Sequence, residues 1–82
     1  MTSFRFAVDV MPREGILDPQ GRAVEAALPQ LGAANVHGVR VGRRIELMVD
    51  AADADAARGV VEQLAAGFLA NPLVEAWEIE AQ

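Results

Sequence analysis

"VHGVRVGRRIELMVD", residues 36–50, decides the fold, because apolar residues alternate on both sides of Gly42. Val39 and Val41 precede the glycine, and Ile45 and Leu47 follow it. A period of two is that of a strand with one face against a core. A two-residue turn at Gly42–Arg43 sets Val41 opposite Arg44 and Val39 opposite Glu46, which mixes apolar and charged groups. A three-residue loop, Gly42–Arg44, sets Val41 opposite Ile45 and Val39 opposite Leu47. Register follows the buried face, so the spacing predicts a hairpin with the longer loop. A single long bent strand carries the same alternation and stays open as a reading.

Working outward, Phe4, Phe6, Val8 and Val10 alternate with Arg5, Ala7 and Asp9, predicting a first strand that Met11 and Pro12 end. "GILDPQG", residues 15–21, then turns the chain into a helix. Asp18 is a favoured N-cap, and Pro19 suits the first helical position. Val24, Leu28 and Leu31 recur at helical spacing, and Gly32 suits a left-handed terminus. Pro29 lacks an amide N–H and predicts a loosened last turn. Beyond residue 50, Asp53 is the expected cap of a second helix, with Ala57, Val60, Val61, Leu64 and Phe68 as its apolar stripe. Asn71 and Pro72 stop it, and Leu73, Trp77 and Ile79 alternate in a last strand.

The order is β-α-β-β-α-β over one domain, residues 1–82, which predicts an α+β, ferredoxin-like fold. Two helices would pack on one face of an antiparallel sheet. The other face would carry Arg5, Ala7, Asp9, Met11, Arg40, Glu46 and Met48, and a second subunit is one way to cover it.

Composition bounds the chemistry. At 82 residues with 52% hydrophobic content, the chain is too apolar for a disordered tail and small enough to favour a homo-oligomer. A net charge of −5 argues against nucleic acid, which asks for a basic footprint. The amino terminus enters a strand pattern at once and no apolar run approaches a membrane span, so a cytoplasmic protein without membrane contact is expected. There is no cysteine and a single histidine, His37, which excludes thiol nucleophiles and thiolate or histidine-rich metal sites.

Ser3, at the terminus, and His37 have no partners in a triad pattern. "GILDPQG" lacks the spacing and lysine of a phosphate-binding loop, and Asp18 would repel an anion at the helix start. No catalytic, cofactor or metal-binding residue is assigned. Arg40, Arg43 and Arg44 are the one basic cluster, read either as a solvated loop or as a docking point for carboxylate or phosphate. These features favour a binding or bridging module over a free-standing enzyme.

"EGILDPQGRAVEAALPQLG", "NVHGVRVGRRIEL" and "FLANPLVEAWEIE" together resemble the PurS family from the first strand to the last. Pro29 replaces a usual helix former, and Arg44 stands where a bulky residue is common. The resemblance implies the small, non-catalytic subunit of phosphoribosylformylglycinamidine (FGAM) synthase in purine biosynthesis. It implies a homodimer or homotetramer that bridges a PurQ-type glutaminase and a PurL-type synthetase and supports ammonia transfer. ATP and Mg would belong to the synthetase partner. Asp18, Gln20, Gly21, Arg40, Arg43 and Arg44 are the candidate interface residues. The competing expectation is an ACT-like regulatory module that binds a small effector near "REGILDPQG".

Overall fold

Alternation along β1 (Thr2–Pro12) sends Phe6, Val8 and Val10 into the core and leaves Phe4 half-buried. In the computed structural model, which describes residues 1–82, this strand is the middle of a three-stranded sheet. β2 (Arg43–Ala51) and β3 (Glu75–Ala81) flank it, both antiparallel. Val8 lies opposite Ile45 on one side and Ile79 on the other, while Phe6 meets Leu47 and Val10 meets Trp77. The register therefore gathers the apolar residues of all three strands onto one face.

That face is covered by α2 (Ala54–Leu64), which lays Ala57 and Val61 on β1 and β2, followed by Ala65 in a π-type turn. The Asp53 carboxylate accepts the Ala56 amide at 2.8 Å and caps the helix, as its sequence position predicts. The expected stripe divides. Ala57 and Val61 are buried, whereas Val60, Leu64 and Phe68 point away from the sheet, with Phe68 81% exposed. Only one face of α2 meets the sheet, and Val60, Leu64 and Phe68 lie off that face.

α1 (Pro19–Ala27) begins where the cap and proline predict. At Pro29 the α-helix gives way to a 3-10 turn, Leu28–Leu31, and Gly32 closes it in the left-handed region at φ 79°. Its only buried residue is Gly21, and Leu31 is 75% exposed. The stripe that was expected to press on the sheet does not do so.

The α+β class and the antiparallel sheet stand, but the chain supplies three strands rather than four. Residues 36–42 form no strand, so the pairs Val41–Ile45 and Val39–Leu47 are not made. β2 begins at Arg43, which also removes the single bent strand running from residue 36. Arg40 accordingly leaves the sheet face assigned to it, and His37 is exposed on an irregular segment. The physical reason is a competing set of partners. The Val41 amide donates to Asp18 Oδ2 at 2.9 Å and the Gly38 amide to Glu25 Oε1 at 2.9 Å, so this stretch lies along α1. Alternation recorded a tendency to extend and could not choose the neighbour.

Candidate interaction surface

Asp18 joins the two sequence stretches that drew attention. Its Oδ1 accepts the Gly21 amide at 3.0 Å, and its Oδ2 accepts the Val41 amide 23 residues away. Those two hydrogen bonds, Gly21 first, hold its carboxyl below the usual carboxylate range, with Arg40 adding a smaller electrostatic push. Gly21 is required where these segments meet, because a Cβ there would lie 2.6 Å from the Val39 carbonyl oxygen and collide with Asp18. Gly42 has a similar role against β1, where a Cβ would collide with Met11 Sδ and the Val10 carbonyl. Gln20 is exposed beside this knot.

Two of the three arginines in the basic cluster are bound within the fold. Arg43 pairs with Glu75 through two contacts, 2.6 Å and 3.0 Å, and also donates to the Leu69 carbonyl. That fork clasps the start of β2 to the end of the α2 region and the start of β3. Glu75 also accepts the Asn71 amide at 2.7 Å, and Arg43 and then this amide lower its carboxyl to about 2. The same pair raises the Arg43 guanidinium above its ordinary value. Arg44 lies on the sheet's second face, between Asp9 at 3.1 Å, Glu46 at 3.3 Å and Glu80 at 3.4 Å. Its hydrogen bonds to Asp9 and then Glu46 raise it likewise.

Arg40 enters none of these pairs. It borders a concavity of about 520 Å³ together with Arg13 and Arg22, which the sequence reading left out. The missed signal is faint: Arg22 follows Gly21 in the first turn of α1, and Arg13 follows β1. Their nearness to Arg40 exists only because Asp18 draws residues 38–41 across the helix start.

No group of three or more His, Asp or Glu side chains is arranged to hold a metal ion. No helix is long and apolar enough to cross a membrane. The fold and surface define a small α+β chain in which Arg43 and Arg44 clasp its own segments, and whose apolar helix faces and arginine-bordered concavities stay open.

Comparison with known proteins gives that description a family. The family model for PurS, phosphoribosylformylglycinamidine (FGAM) synthase, matches residues 5–82. The chain is 41% identical over 75 residues to the PurS subunit of that synthase from Mycobacterium leprae, covering 92% of this chain and 91% of the relative. It is 34% identical over 79 residues to the PurS subunit from Thermotoga maritima, covering 96% of each. A chain in the structure of PurLQS from Thermotoga maritima superposes with a TM-score of 0.89 at 33% identity, with full coverage of both chains. Bacillus subtilis PurS superposes with a TM-score of 0.84 at 33% identity, covering 96% of this chain and 98% of that one. The chain belongs to the PurS family of FGAM synthase subunits.

Proposed function

We propose that this chain is the accessory subunit that joins the glutaminase and the ATP-dependent synthetase of FGAM synthase, without supplying a catalytic residue of its own. The observation that carries this reading is the full-length likeness to a chain of PurLQS. In this reading the glutaminase releases ammonia and the synthetase uses it, with ATP and Mg held by the synthetase. Ammonia is largely protonated near neutral pH and ammonium is not a nucleophile, so a water-excluding path between the two sites preserves the reactive form. Gln20 and Arg40 present exposed groups to a partner, while Asp18, Gly21, Arg43 and Arg44 shape the surface that carries them.

The same reading makes the chain a cytoplasmic homodimer or homotetramer. Its radius of gyration, 16.5 Å, exceeds the roughly 12 Å of a compact chain this long. Val24 and Leu31 on the α1 side, and Val60 and Leu64 on α2 with Phe68 in the turn after it, are apolar and exposed in a single copy. A second copy that covers them removes that surface from water.

The test is reconstitution from purified glutaminase, synthetase and this chain. Glutamine-dependent FGAM formation should need all three, whereas formation from added ammonia should need only the synthetase. Equal glutamine-dependent rates with and without this chain would sink the bridging role. For self-association, Phe68→Ser with Leu64→Ser should lower the mass measured by sedimentation. An unchanged mass would remove that face from the oligomer.

A further inference from the structure

Arg13, Arg22 and Arg40 come from three separate segments: the loop after β1, the first turn of α1, and the irregular stretch before β2. They line one concavity of about 520 Å³ with exposed Ile16 and Leu17 on its border. Three of the chain's seven arginines gather here against Glu14 and Asp18, two of its twelve carboxylates, in a protein of net charge −5. Asp18 is half-buried, with both oxygens already accepting backbone amides. Arg22 and Arg40 enter no ion pair, and the Arg13 side chain donates only to the Pro72 carbonyl, at 3.1 Å.

We propose that this concavity is the docking point for an acidic segment of one of the larger synthase subunits, a reading that rests on the assembly role above. Guanidinium forks match side-chain carboxylates bidentately, and arginine beside exposed aliphatic residues is the composition of a protein interface. A free phosphate is the poorer occupant, because the amide cradle at the start of α1 is already taken by the Asp18 carboxylate. A second copy of this chain is also poorer, because five of its twelve carboxylates already pair with its own arginines and Asp18, Glu25 and Asp53 accept backbone amides. Asp9, Glu46 and Glu80 hold Arg44, and Glu75 holds Arg43. Glu62 holds Arg58, and Asp50 accepts from Ser3. The partner therefore brings the negative charge.

The experiment is binding of full-length chain to the purified synthetase and to the glutaminase, separately and together, at two salt concentrations. Arg22→Glu/Arg40→Glu, which spares the Arg13–Pro72 bond, should weaken assembly at least about tenfold and flatten its salt dependence. Its circular dichroism and self-association should match those of the unaltered chain. The milder Arg22→Gln/Arg40→Gln pair should weaken assembly in the same direction by less. Unchanged affinity in both variants overturns the proposal, as does a loss confined to self-association. Inorganic phosphate that binds the free chain and is lost in the variants, with assembly intact, also overturns it in favour of a small-anion site. If the unaltered chain fails to assemble at all, the bridging reading falls first, and the two failures are distinguishable.

Discussion

Residues buried in the sheet, α2 and the turn after it number nine of the chain's ten, while the region from 13 to 42 buries only Gly21. The first region is held by apolar contact across a β2-β1-β3 register. The second is held by directional bonds: Asp18 to Gly21 and Val41, Glu25 to Gly38, and the 3-10 turn at Pro29. Burial yields a fold that stands alone, whereas a few hydrogen bonds fix a shape and leave apolar faces for other molecules. The division puts nearly all of the burial in one region and a hydrogen-bonded surface shape in the other.

The largest break in that comparison should come from Phe6→Ala, which empties a core position and is expected to cost about 3–5 kcal/mol in urea or thermal unfolding. Leu31→Ala, at an exposed site in the other region, should change stability by less than about 0.5 kcal/mol in dilute solution. Similar losses from the two would erase the distinction.

Gly42 sits at the seam, and Gly42→Ala drives a methyl into the Val10 carbonyl and Met11. Overpacking of this kind should cost about 1–3 kcal/mol, read as a lower unfolding midpoint. A smaller, local effect is expected of Asp18→Ala. Hydrogen exchange at the Gly21 and Val41 amides should speed up while the β1 amides keep their protection. Equal acceleration everywhere would show that the knot belongs to the core after all.

The smallest expected effect is electrostatic. Glu75 is depressed to about 2, from 4.5, by Arg43 and then by the Asn71 amide. A depressed carboxylate favours the folded state above its unfolded value, so this contribution is complete above about pH 4.5 and fades as pH falls toward about 2. Carboxyl NMR titration should place Glu75 low, and Arg43→Gln should move it up toward 4.5. An unmoved titration would detach the clasp from its proposed cause.

Much of this was legible in the residues. The alternation of Phe6, Val8 and Val10, the caps at Asp18 and Asp53, and the break at Pro29 act within a few neighbours, and each came out as read. The family resemblance was also carried by local stretches, and the match over residues 5–82 shares their span. The hairpin at Gly42 was not legible, because extension is local but the partner of an extended segment is not. Arg13 and Arg22 escaped for the same reason: their closeness to Arg40 depends on a bond between residues 18 and 41.

By itself, then, the sequence determined where the two helices begin, which face of β1 is apolar, and that thiol and histidine-cluster chemistry is absent from the chain. Tertiary structure alone decided that residues 36–42 lie along α1, that Ala57 and Val61 of α2 are buried while Phe68 in the turn beyond it is exposed, and which arginines stay unpaired. Periodicity and capping are settled by neighbours along the chain, whereas pairing and exposure are settled by competition among groups far apart in it.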